Sequence, residues 1–397
     1  MRFHSTFIGI VGIFIINGCK ETPKDTNDKD EPQEALPDKN LQTTGPKIRH
    51  SEKVNIAEGC QSREHVKEYP EALKHVERSA CYTVEKSITA LPPKVSVTVY
   101  FQRSATSKFN EDYHDVGFIA IKSGYVDSFV TNPGVEQALK INKQIIEKSA
   151  AGTDKDREIL STGSFENESV VFAVSNLRRS ALTFLVSFKH LIKKIKKIHV
   201  VSALQELNNI SGQTLAEPHS NPKLVFPTKS ALKAHPNEPI CPFEESQMKK
   251  IFDPTCNDGN EKYRPAHYIL GVLNPENQID LLCTWMYNVV VFGEDFAESG
   301  NKTPKNFTPT NFILTGHARQ LNQFYRKKLD NGAWFHDGNE LENKLSSVAI
   351  PNKLSNSGMV RFKLDLSYTP ANGKINCSID PNSSALIFGS VILERDD

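Results

Sequence analysis

The chain has 397 residues, 38% of them hydrophobic and 24% charged, an ordinary globular composition. Its formal net charge of +1 excludes a general nucleic-acid binder, which would be strongly basic, so nucleic acid is not an expected partner. No run of the mature chain is apolar for long enough to span a bilayer, which takes roughly 20 residues; the nearest, Leu281 to Phe292, is interrupted by Thr284 and Asn288.

The first eighteen residues carry Arg2 and His4, then an apolar stretch from Phe7 to Ile16. A charged start followed by a short apolar segment and a small residue reads as an export signal, residues 1–18. It ends Ile16-Asn17-Gly18-Cys19. This tetrapeptide resembles the lipobox of bacterial lipoproteins. The resemblance covers residues 1–19 only. It implies that Cys19 receives diacylglycerol and palmitate-type acyl chains, becomes the new N-terminus and anchors the chain to a membrane. Lys20 after the cysteine resembles the sorting pattern of outer-membrane lipoproteins. Lys20 to Pro46 is rich in Lys, Asp, Glu, Asn and Pro and cannot bury enough surface to offset its ordering entropy. Residues 19–53 are therefore expected to be a lipidated, disordered tether with a mean reach of roughly 30 Å.

About 340 residues follow, which suggests two domains of roughly 150 residues each. Six cysteines remain after Cys19: Cys60, Cys81, Cys241, Cys256, Cys283 and Cys377. An even number in an exported chain reads as disulfides. Short loops close most readily, which favours Cys60–Cys81, Cys241–Cys256 and Cys283–Cys377. No C-x-x-C occurs, so a zinc site is disfavoured and no metal or other cofactor is expected.

Residues 54–215 read as a mixed α/β domain. Val95, Val97, Val99 and Phe101 alternate with polar residues, the pattern of a half-buried strand. Val116 to Ile121 and Tyr125 to Val130 flank Ser123-Gly124 and predict a hairpin. Gly134 to Ser149 has helical spacing. The clearest periodicity runs through Val170, Val174, Leu177, Ala181, Phe184, Phe188, Leu191, Ile195 and Ile198 and predicts a long amphipathic helix, although Val170 to Val174 could be a strand. Residues 216–245 hold Pro218, Pro222, Pro227, Pro236, Pro239 and Pro242 and read as an interdomain connection. Residues 246–397 are expected to form a mostly antiparallel β domain. Its strands are His267 to Leu273, Gln278 to Phe292, an alternating strand from Val360 to Leu366 and a final one from Ala385 to Leu393. Ala318 to Leu329 is expected as a short helix. The fold class expected is thus α+β.

No nucleophile elbow, zinc helix, P-loop or dinucleotide fingerprint is present. Three features could carry function. Lys193, Lys194, Lys196 and Lys197 lie off the apolar stripe of the expected long helix and could bind an anionic surface such as lipid or lipopolysaccharide; a solvated basic face is the alternative. Asp112-Tyr113-His114-Asp115 could orient a histidine for acid–base work or metal binding, or simply fill a polar loop. His317, at a strand end entering a helix, stands near His336 and Asp337 in sequence, with Trp334 as a stacking platform, or as core. Two functions follow. The first is a non-catalytic envelope lipoprotein that binds a protein, glycan or anionic lipid. The second is an extracytoplasmic hydrolase whose catalytic residues are His317, His336 and Asp337, or the cluster at His114.

Overall fold

The computed structural model describes residues 80–84, 91–92, 94–107, 110, 130–206, 251–256, 275–299, 303–305, 308–328, 340–346 and 352–393. All of them fall in one compact unit, Arg63–Asp397. Ten strands are described: β1 (Lys94–Arg103), β2 (Ser169–Ser175), β3 (Ile198–Val201), β4 (Phe252–Asp253), β5 (Thr310–Gly316), β6 (Asn352–Leu354), β7 (Met359–Thr369), β8 (Lys374–Ile379), β9 (Ala385–Phe388) and β10 (Val391–Leu393). The helices of seven residues or more are α1 (Asn132–Ile146), α2 (Asp154–Thr162), α3 (Arg178–Ser187), α4 (Pro275–Phe292), α5 (Ala318–Lys328) and α6 (Glu340–Ser346).

One sheet runs β4-β3-β2-β5-β1-β7-β8, with β9 also paired to β7. Strands β4, β3, β2, β5 and β1 are mutually parallel, and β7, β8 and β9 add antiparallel pairing on the far side. Parallel strands are buried on both faces, and all seven residues of β5 are buried. Helices α1, α2 and α3 cover one face, where Ile141, Ile145, Ile159, Leu160 and Phe184 meet Tyr100, Phe172, Val174 and Ile313. Helices α4, α5 and α6 cover the other, where Trp285, Leu321 and Leu345 join Val97, Val99, Phe101, Phe312 and Leu314.

Mixed helix and sheet is therefore the fold class, but four expectations are corrected. The division at 216–245 does not separate two sheets: β5 and β7, from the second half of the chain, both pair with β1 from the first. The long amphipathic helix is a strand, a helix and a strand, β2, α3 and β3; its apolar residues are all buried or half-buried because a βαβ crossover covers every one of them. Gln278 to Phe292 is not a strand but most of α4. That helix is buried on nearly every side, from Ile279 to Val289. All-round burial removes the polar stripe that marks a helix in sequence, leaving length as the signal, since strands rarely exceed about 10 residues. The final strand is two strands, broken at Gly389, whose φ of +85° takes β9 away from β10. The strand at 95–101, the helices near 134–149 and 318–329 and the strand at 360–366 are found as expected. The hairpin at 116–130, the strand at 267–273, the proline-rich segment and the N-terminal 53 residues lie outside the described residues.

Cys283 pairs with Cys377, as expected. Cys81 pairs with Cys256 instead, which overturns both short-loop pairings, Cys60–Cys81 and Cys241–Cys256; Cys60 and Cys241 lie outside the described residues. Short loops lost because the sheet brings distant segments together. Tyr82 and Ser202 both donate to the Cys256 carbonyl, at 2.7 and 3.2 Å, so the segments before β1 and after β4 are joined by more than sulfur. A loop of 94 residues such as Cys283–Cys377 removes about 4–5 kcal/mol of unfolded-state freedom.

The edge of the sheet is held by charge. Buried His199 on β3 lies with Nδ1 3.2 Å from Asp253 and Nε2 3.2 Å from Glu294, its ring edge-to-face with Trp285. Lys197 adds contacts to Asp253 at 3.4 Å and Asp295 at 2.7 Å. Burial alone would lower the imidazole, but the bonds to Asp253 and Glu294 outweigh it and raise its pKa above the ordinary value. Burial likewise opposes ionisation of Asp253, yet its bonds to His199 and Thr255 hold it far below the usual carboxylate range. For a group raised on folding, the stabilisation is complete below the unfolded value of about 6.5 and is lost as pH rises through the folded value. His199→Gln is therefore expected to cost about 3–5 kcal/mol at about pH 5.5, and distinctly less at about pH 9. Denaturant melts of both proteins at the two pH values check this; a cost that is equal, or larger at high pH, contradicts it.

Candidate functional site

The order of strands creates one privileged place. Chains leaving β1 and β2 pass to the face covered by α1 to α3, whereas the chain leaving β5, which lies between them, passes to the opposite face as α5. Ligands of open α/β sheets bind where neighbouring connections part in this way, at the carboxyl ends of the strands. The registers bring Arg103 opposite Gly316, and Val174 opposite Thr315. The first residue past β5, His317, thus sits between the ends of β1 and β2.

Gly316 makes this possible. A Cβ there would lie 2.6 Å from the Phe101 ring and 2.7 Å from Gln320 Oε1. The Ser104 amide donates to the Gly316 carbonyl at 2.9 Å and fixes the strand end.

His317 is 1% exposed. Its Nε2 lies 3.0 Å from Ser175 Oγ, at the end of β2, and 3.2 Å from Ser180 Oγ, in the first turn of α3. Its Nδ1 has no hydrogen-bond partner, and the nearest acid, Glu206 Oε2, is 3.7 Å away. Glu206 follows β3 and the short helical turn Ser202–Leu204, and the same carboxylate oxygen lies 3.9 Å from Arg179 Nη2. Arg179, in the first turn of α3, and Arg103, at the end of β1, are both buried. Arg103 donates to the Leu354 carbonyl. The end of β1 is tied to α3 by the Ala105 amide, which donates to Thr183 Oγ1 at 2.9 Å; that hydroxyl donates in turn to the Arg179 carbonyl at 2.7 Å.

Burial, then the guanidiniums of Arg179 and Arg103, drive the His317 pKa well below its ordinary value. The imidazole is therefore neutral at physiological pH. With Nε2 bonded to the two serine hydroxyls, Nδ1 is the ring nitrogen that faces Glu206. A neutral imidazole beside two permanent positive charges suits an anion and a proton transfer to or from it. The α3 N-terminus adds its partial positive charge; no acid stands in its first turn.

Of the residues singled out from the sequence, only His317 is at this site. His336, Asp337, Trp334, His114, Asp112 and Asp115 lie outside the described residues, as does Cys19. Lys193, Lys194 and Lys196 are exposed, and Lys197 is held by Asp253 and Asp295. These lysines stand not on a helix but in the turn and loop before β3, at the amino ends of the parallel strands, the sheet edge opposite His317. Arg103, Arg179, Ser175, Ser180 and Glu206 were missed. The available signal was a cation directly ending the best-defined strand, at Arg103, and a polar Ser-Asn pair ending the apolar run at 170–174.

No protein-family model and no curated protein matches the chain. Solved structures do match. A mycobacterial hydrolase is 12% identical, with a TM-score of 0.32, over 72% of this chain and 98% of its own. A phosphoglycerate mutase from Bacillus anthracis is 14% identical, with a TM-score of 0.30, over 73% and 95%. A mycobacterial glucosyl-3-phosphoglycerate phosphatase is 11% identical, with a TM-score of 0.32, over 73% and 99%. The expectation of a non-catalytic envelope protein is corrected by the site's own geometry, a buried histidine between serine hydroxyls and an acid with arginines beside it. Likenesses of this degree carry no argument for a substrate, which has to come from the chain's own residues.

Removing a neighbouring positive charge favours the imidazolium. Arg179→Gln is therefore expected to raise the His317 pKa toward its ordinary value, as read by NMR titration of the ring. A pKa that stays put or falls contradicts the arrangement.

Proposed function

We propose that the chain is a hydrolase of anionic esters, with phosphate monoesters as the best-fitting class. The observation that carries this reading is the neutral, buried His317 flanked by Arg103 and Arg179 at the carboxyl ends of three parallel strands. The guanidiniums bind the non-bridging oxygens and offset the charge that grows in the transition state. His317 accepts a proton from the attacking water and returns it to the departing alkoxide. One phosphorus–oxygen bond forms to water and the ester phosphorus–oxygen bond breaks. The serines orient the ring.

Release of p-nitrophenol from its phosphate monoester, its phosphodiester and its acetate distinguishes the classes. Turnover of the monoester is expected, reduced by about 10²- to 10⁴-fold in His317→Asn, the usual contribution of a proton-transfer group. Turnover of the acetate alone, or monoester turnover that His317→Asn leaves intact, overturns the reading.

We further propose that the enzyme works outside the cytoplasm, held to the bacterial membrane by lipid on Cys19. Two disulfides fit an oxidising compartment. No helix among the described residues is long and apolar enough to cross a membrane. Mass spectrometry of the mature protein is expected to find an acylated Cys19 at its N-terminus, lost in Cys19→Ala. A mature chain beginning elsewhere and carrying no lipid overturns this.

A further inference from the structure

At the amino ends of the parallel strands, on the sheet edge opposite His317, lies a cleft of about 330 Å³. Small-molecule sites begin at about this size, roughly 300 Å³. Its walls are apolar. Val170 and Phe172 share one face of β2, because side chains two apart point the same way. Leu191 and Ile195 come from the turns after α3, where the Ile195 amide donates to the Leu191 carbonyl at 3.1 Å. All four belong to the core beneath α1, α2 and α3 or pack against it. That core therefore reaches the surface here, between the end of α2 and the lysine-rich loop.

The mouth is charged, and the balance has a sign. Its two acids are matched: Glu294 lies 3.2 Å from His199 and Asp295 lies 2.7 Å from Lys197. Lys194 and Lys196 also line it, are exposed, and pair with no acid among the described residues. Lys193 stands exposed beside them. The surplus at the mouth is positive.

We propose that this cleft binds a single-chain anionic amphiphile, a medium-chain fatty carboxylate, with its alkyl chain along Val170, Phe172, Leu191 and Ile195 and its head at Lys194 and Lys196. The inference is independent of the reading of the His317 site. The apolar walls supply the affinity. The lysines, being in water, add only a few-fold and set the sign of the head group. The occupant is a free chain rather than a lipid held in a bilayer. Phe172, Leu191 and Ile195 are buried behind exposed lysines, so a chain has to leave a bilayer to reach them.

Calorimetric titration of the intact protein with hexanoate, octanoate and decanoate, below their micellar concentrations and at about pH 8 where carboxylates are ionised, tests this. Binding is expected to tighten about fourfold per added methylene, until the chain fills the cleft. Octanol is expected to bind more weakly than octanoate, and acetate not at all. Lys194→Gln together with Lys196→Gln is expected to weaken octanoate about tenfold at low salt, with the chain-length dependence unchanged. Thr162→Trp, at the half-buried last residue of α2 on the cleft wall, is expected to plug the cleft and abolish binding, with a denaturant melt to show that the variant is folded. In the unaltered protein, methyl NMR signals of Val170, Leu191 and Ile195 are expected to shift with octanoate while the His317 ring signals stay. That mapping decides the matter should Thr162→Trp not fold. Absence of binding by all three carboxylates overturns the proposal. So does affinity indifferent to chain length, octanol binding as tightly as octanoate, or shifts confined to other parts of the protein. Binding to vesicles of phosphatidylglycerol without binding of decanoate overturns it too, and makes this face a membrane contact instead.

Discussion

Placing β5 between β1 and β2 is the constraint on which the rest of the molecule depends. The segment that becomes β5 is separated from β1 by some two hundred residues, yet it fills the centre of the sheet and is buried along its whole length. Its neighbours send their connections to one face and it sends its own to the other. This parting leaves a place at the carboxyl edge where His317 can meet Arg103, Ser175 and the first turn of α3. Without the insertion, the same residues would sit at the ends of separate elements with nothing to share. The demand for close approach also explains Gly316, where any larger residue would strike the Phe101 ring.

Two sets of cations occupy opposite edges of the sheet, and burial decides which of them can select a ligand. Lys193, Lys194 and Lys196 are in water. A charge pair about 4 Å apart there is worth only about 1 kcal/mol, and salt screens it further. Arg103 and Arg179 are buried, where the same pair at an effective dielectric near 20 is worth roughly 4 kcal/mol. The arginines, not the lysines, therefore carry the binding argument. The same burial lowers the His317 pKa, so one physical cause underlies both the proposed anion clamp and the proposed proton acceptor. At the other end of β3, His199 has the reverse fate: it is equally buried but faces Asp253 and Glu294 rather than guanidiniums, and its pKa is raised. Two buried histidines thus have their pKa values moved in opposite directions by the sign of their neighbours.

Local pattern was legible where one face of an element is wet. The alternation of β1 and β7, and the amphipathic α1 and α5, were each visible in the sequence. Pattern misled where burial is complete. Helix α4 has no polar stripe and resembled a strand. The apolar spacing from Val170 to Ile198 ran unbroken through a strand, a helix, a turn and a strand, because the crossover buries all four. Long-range facts were out of reach for a different reason. Chain-closure entropy favoured short disulfide loops, but the sheet fixes the Cys81–Cys256 distance, and local sequence carries no record of it. At the site, His317 was identifiable from its position between a strand and a helix. Its partners come from four other segments, far from it in sequence. Only the fold brings them together.

The central claim is that Arg103 and Arg179 form an anion clamp with His317 beside it. A crystal structure with bound tungstate tests it most directly, because the heavy anion is a tetrahedral dianion visible without ambiguity. The account predicts tungsten density bridging both guanidiniums, with an anion oxygen within hydrogen-bond reach of His317. Tungstate bound only at Lys193, Lys194 and Lys196, or nowhere on the protein, would contradict it.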